Sequence, residues 1–189
     1  MSAMKMRLVG GALVLAVAMG MSAGAEQPRG VAGMLQNLAS EPSTHTSFTF
    51  DRDMLQAMGG ALGDDGKTIA GLSAITFENY HYHQPAFYIP GNMHAIVAAY
   101  REAGWMHLVD QNASPRESAS PTKPLTDLWL HFDGMNIDGV TVLVRGVKQM
   151  TVIEVSGILK PLDLVHLSGH FGIPKVDPNA VMVPAPPGK

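Results

Sequence analysis

Eight histidines and the absence of any cysteine set the range of site chemistry open to this 189-residue chain. His81 and His83 stand two apart, a spacing that on a strand turns both imidazoles to one face and can hold a divalent metal. Asp163, His166 and His170 follow at i, i+3 and i+7, sharing a helix face opposite Leu164, Leu167 and Phe171. Together these residues offer a zinc or copper site, as a carrier or a metal-dependent hydrolase would need. Binding there should weaken below about pH 6, as the imidazoles protonate. Against it, the segment HLSGH lacks the glutamate of a zinc protease motif, and Gly169 loosens the helix. A solvated polar helix face and an amphipathic strand rim account for the same residues with no cofactor, which is the plainer expectation.

Tyr80, Tyr82, Phe87 and Tyr88 crowd around the two histidines and Pro85. An exposed aromatic patch suits contact with a partner or ligand, so Tyr80, His81, Tyr82, His83 and Tyr88 form the candidate binding set, although half of these rings would equally suit a core. The carboxylate pairs read as local structure: Asp51 and Asp53 at a helix cap, Asp64 and Asp65 in a turn. Glu154 interrupts an apolar run between Ile153 and Val155, and alternation turns it towards solvent. The chain contains no GxSxG elbow, phosphate-binding GK[ST] loop, GxGxxG or HExxH. No catalytic residue is assigned, and the balance leans away from an enzyme.

The elements that must position these residues alternate helix and strand before turning mostly to strand. After Asp51 as N-cap, Met54, Leu55, Met58 and Leu62 fall on one helical stripe. Ser73 to Tyr82 is a β-branched and aromatic strand. Asn92 is placed to cap a helix carrying Met93, Ile96, Val97 and Tyr100 and closing at Gly104. Strands are expected over Trp105 to Asp110, Thr126 to Asp133, Val140 to Val147 and Met150 to Ile158, and a last helix from Pro161 to Gly172. The sum is an α+β fold: a mostly antiparallel sheet of four or five strands, with two or three helices packed on one face.

Residues 1–25 read as a secretory signal peptide. Lys5 and Arg7 precede an apolar stretch from Leu8 to about Met21, too short to span a bilayer, and Ser22-Ala23-Gly24-Ala25 supplies the small residues before a cleavage site. Residues 26–44 read as a flexible N-terminal segment, with one or two helical turns near Met34, Leu35 and Leu38. Residues 45–176 form a single domain interrupted by a long Pro-rich loop at 112–124, and 177–189 a Pro-rich tail. Formal charge is −3 with 13 basic and 16 acidic residues; losing Lys5 and Arg7 leaves 11 against 16, or −5. Such a chain has no electrostatic footprint for nucleic acid, and its mature form has no membrane span. Without cysteine, its stability must come from packing.

The segments SAITFENYHYH, a helix ending in AGW, and VTVLVRGVKQMTVIEVSGILKPLDLVHLSGHFGIPK, behind an exported N-terminus, resemble the bacterial domain-of-unknown-function 4252 family over roughly residues 46–176. The resemblance implies an exported or envelope-attached protein. It carries no chemistry and so no catalytic residues. Lipid-anchored relatives would have a cysteine after the apolar stretch, and this chain departs from them there. The expected protein is an exported, periplasmic or secreted, non-catalytic module that binds an envelope protein partner or a small ligand.

Overall fold

The computed structural model describes residues 25–40, 42–59, 66, 69, 71–110, 114–159 and 182–185. Within these lie α1 (Val31–Gln36), β1 (Thr44–Asp51), α2 (Arg52–Gly59), β2 (Leu72–His81), α3 (Pro90–Glu102), β3 (Met106–Asp110), α4 (Pro115–Ala119), β4 (Leu125–Asp133), β5 (Asn136–Arg145), β6 (Gln149–Leu159) and β7 (Met182–Pro184). The strands make one sheet in the order β1-β2-β6-β5-β4-β3-β7, every neighbouring pair antiparallel. The α+β class is as expected.

The strand count is larger than expected, seven in place of four or five. The added strands are the two edges. β1 has almost no apolar alternation because nearly all of it is exposed, and the three residues of β7 lie inside the Pro-rich tail. The stretch 26–44, read as flexible, contributes α1, with Val31, Leu35 and Leu38 completely buried. The loop at 112–124 contains α4, whose Ser114 and Glu117 form a reciprocal capping box behind Pro115. α3 starts earlier than expected. Pro90, with its preset φ and no N–H, opens the helix, while Asn92 lies inside the first turn and donates its side-chain amide to the Asn37 carbonyl at 2.6 Å. Asp51 does cap α2, accepting from the Met54 N–H at 2.9 Å.

The alternation of strand side chains divides the core into two layers. One layer packs Val31, Leu35 and Leu38 and the α3 stripe of Met93, Ile96, Val97 and Tyr100 against Tyr80, Trp129, Leu143, Met150 and Val152. The other gathers Ile75, Leu130, Val140, Ile153 and Val155 around Leu55 of α2. Helices therefore contribute to both faces of the sheet, not one. Each fully buried aliphatic side chain stabilises the fold by about 1.5–3 kcal/mol.

Two glycines are required by close approach. At Gly139 a Cβ would lie 2.6 Å from the Trp105 ring and 2.9 Å from the Ala25 Cβ. Gly157, at φ 131°, lies where β2 and β6 shift register; a Cβ there would meet the Leu72 Cα at 2.6 Å. No helix among the described residues is long and apolar enough to cross a membrane.

Candidate functional site

The sheet registers align one row of side chains across five strands on the face beneath α1 and α3: Thr76, Glu154, Thr141, Trp129 and His107. One pleat along, Glu78 and Asp127 share a second row with Val152 and Leu143. Two clusters of buried polar side chains are built on these rows and the residues beside them.

The first cluster is built on β3, β4 and β5. Arg145 donates from Nε and from a terminal nitrogen to Asp127 Oδ2, at 3.0 and 2.7 Å, and His107 Nε2 lies 3.0 Å from Asp127 Oδ1. Arg145 also donates to the carbonyl of Ser118 and, at 2.9 Å, to its Oγ, so α4 closes over the guanidinium. The guanidinium carbon lies 5.7 Å from the centre of the Tyr88 ring. Burial works against the charge on Asp127, but Arg145 and His107 together hold its carboxyl below the usual carboxylate range. His107 stacks on Trp129 at 4.6 Å, and Tyr100 stacks on the same indole at 4.7 Å. Among the described residues, three buried side-chain polar atoms make no hydrogen bond: His107 Nδ1, Trp129 Nε1 and Tyr82 OH.

The second cluster has no cation at its centre. Gln27 donates to Glu154 and, at 3.2 Å, to the Tyr100 hydroxyl, which in turn donates to Thr141 Oγ1 at 3.0 Å. Tyr80 donates to Glu78, and His45 Nε2 lies 3.6 Å from the same carboxylate. Glu154 is not turned to solvent as alternation suggested, because the segment carrying Gln27 lies over this face, tied down where the Ala25 N–H donates to the Asp138 carbonyl at 3.0 Å. Burial, and then the nearby Glu78 charge, push the Glu154 carboxyl up to about 7, the Gln27 hydrogen bond opposing part of the rise.

Beside this cluster is a cleft of about 230 Å³ lined by Gln36, Asn37, Ala39, Pro42, His45 and Tyr80. His45 lies flat on the Tyr80 ring, 4.2 Å between centres and 5° from parallel. The Asn37 carboxamide donates back to the Gly33 carbonyl at 2.7 Å, which fixes the turn at the end of α1.

The five residues of the candidate binding set separate by chemistry. Tyr80, Tyr82 and Tyr88 are core residues, 1%, 6% and 1% exposed, while His81, His83 and Phe87 face outward. The rings of Tyr80, Tyr82 and Tyr88 thus form no exposed aromatic patch; burial raises all three phenol pKa values, that of Tyr82 to about 12. Tyr88 is spent on structure, its hydroxyl donating to the carbonyls of Gly146 and Gln149 at 2.8 and 3.2 Å. β2 ends at His81, so the alternation that would hold His81 and His83 on one face stops before His83. Asp163, His166 and His170 lie outside the described residues, as do Asp64 and Asp65. Among the described residues, no three His, Asp or Glu side chains come together as a metal site requires.

Sequence reasoning passed over Asp127, Arg145 and His107, which look like ordinary alternating polar positions, and over His45 and Gln27. A clue was present in β4 and β5, where Asp127 and Arg145 are the charged residues on faces otherwise carrying Leu125, Trp129, Leu143 and Thr141. No family model matches the chain, and the searches of curated proteins and of solved structures likewise found no match.

Proposed function

We propose that the chain is an exported, non-catalytic module that binds a small polar ligand in the cleft between α1 and β1. The observation that carries this reading is the cleft itself: an imidazole stacked on a tyrosine, with Gln36 and Asn37 among the residues that line it. A flat polar group can lie against such a wall while amides bond its edge. The acid and base groups nearby are already engaged with one another, Glu154 with Gln27 and Asp127 with Arg145 and His107, which favours binding over turnover. Export is supported by the basic, apolar and small-residue order of residues 1–25, and placement in the periplasm or outside the cell follows from it.

Amide NMR of the mature chain during titration with a panel of amino acids, short acetylated peptides and monosaccharides tests this reading. At least one compound should shift the signals of Asn37, Ala39, His45 and Tyr80 together, and a His45→Ala variant should weaken its binding at least about tenfold, the equivalent of ~1.4 kcal/mol. Shifts confined to other regions, or conversion of the added compound, would overturn the proposal.

A further inference from the structure

The two edges of the sheet are unequal. β7 is three residues long and ends in Pro184, which has no N–H to offer a further strand. β1 is eight residues long, THTSFTFD, with seven of them exposed, and it contains no proline, lysine or glutamate. Natural edge strands are ordinarily shielded by such residues, by bulges or by a covering element.

The direction of its free backbone groups follows from two hydrogen bonds. The Tyr82 N–H donates to the Lys148 carbonyl at 2.9 Å, towards β6, and the His81 carbonyl accepts from the Ser43 N–H at 2.7 Å, on the β1 side. With Thr44 opposite His81 and Phe48 opposite Phe77, the antiparallel pattern directs the backbone groups of Thr44, Thr46, Phe48 and Phe50 to β2. Those of His45, Ser47, Thr49 and Asp51 point out of the sheet.

We propose that β1 is a homodimer interface, pairing antiparallel with β1 of a second copy about a twofold axis at Phe48. A twofold axis through the sheet keeps each face on its own side, so only residues of equal parity can stand opposite one another. Centred on Phe48, the register sets Ser47 opposite Thr49 and His45 opposite Asp51, the four residues whose backbone groups point outward. It places Thr46 opposite Phe50 and Phe48 opposite its own copy in a pair without backbone bonds, where side chains come closest. Phe48, 51% exposed and edge-on to Phe50 at 4.6 Å, is the largest apolar group on this edge and would lose its water on pairing. The imidazole of His45 would face the carboxylate of Asp51, a pair able to hydrogen-bond and repeated twice by the symmetry. Because β7 offers no comparable edge, the association closes at two copies and does not extend into a fibre.

The absence of cysteine makes the register directly testable. The mature chain carrying Phe48→Cys should form a disulfide-linked dimer under mild oxidation, since paired Cα atoms at such a position lie within disulfide reach. Thr46→Cys and Phe50→Cys, each opposite a different residue, should link at least about tenfold more slowly under the same conditions, by their greater separation. Sedimentation of the unmodified chain should show a monomer–dimer equilibrium, and Thr49→Lys, an exposed change on the same edge, should shift it to monomer with unchanged circular dichroism. A chain that sediments as monomer at all concentrations, or links fastest through position 46 or 50, would overturn the proposal. So would a dimer indifferent to Thr49→Lys.

Discussion

Asp127 and Glu154 are carboxylates on the same face of the same sheet, and burial opposes the charge on both, yet they end in opposite charge states. Asp127 stays charged below the usual range because a guanidinium meets it with two hydrogen bonds and an imidazole takes its other oxygen. Glu154 has an amide for a partner and another carboxylate as a neighbour, and its proton is held until about pH 7. Depth does not decide the charge state of a buried acid; the partner does.

This contrast can be broken most forcefully at Arg145. Arg145→Met leaves a charged aspartate in the core without its main partner and should cost about 3–5 kcal/mol in urea unfolding, whereas Asp127→Leu combined with Arg145→Met should recover most of that loss. A single-variant loss under about 1 kcal/mol would show that the ion pair is not what keeps Asp127 charged.

Glu154 gives the next largest effect. Between the ordinary glutamate value of 4.5 and about 7, the native state holds a proton that the unfolded chain releases, so stability is full below this window and falls as pH rises through it. The fall should approach about 3 kcal/mol by pH 8, and Glu154→Gln should flatten the profile. A profile rising with pH, or unaffected by the substitution, would contradict the assignment. Removing the neighbouring charge with Glu78→Gln should then lower the Glu154 pKa in a carbon-13 carboxyl titration; an unchanged value would leave burial as the whole cause. The smallest effect belongs to α4, which supports the other cluster through Ser118. Ser114→Ala should cost about 1 kcal/mol by removing its capping box, measured by thermal unfolding.

The central strands were legible because their apolar alternation is strong, as in Leu128 and Leu130 on one side of β4 and Asp127 and Trp129 on the other. α3 was legible from its stripe, though its start was misplaced by the attraction of Asn92 as a cap over Pro90 as a first residue. β1 was hidden because a strand exposed along its length has no reason to alternate. α4 was written plainly as Ser114-Pro115-Arg116-Glu117 but was masked by a Pro- and Ser-rich composition that reads as loop. The clusters were hidden for a different reason. Gln27 reaches Glu154 across 127 positions of sequence, and His107 meets Asp127 across 20, so each depends on a strand register that no local pattern contains. The tyrosines looked like a surface patch because their polar-tipped rings suit a surface as well as a core; all three are buried in the layer that also holds residues of α1 and α3.

The Arg145–Asp127–His107 contact also acts as a check on assembly. Leu125 is matched to Arg145 across β4 and β5, and His107 to Trp129 across β3 and β4. A slip of either pair by one residue would turn charged groups to the opposite, apolar layer or strand one of them without a counterpart. Three strands in which nearly half of the residues are interchangeable valine, leucine and threonine would otherwise tolerate several alignments. The charged trio rejects the wrong ones, so a chain in which all three were replaced by well-packed apolar residues should be no less stable yet fold more slowly, populating misaligned sheets on the way.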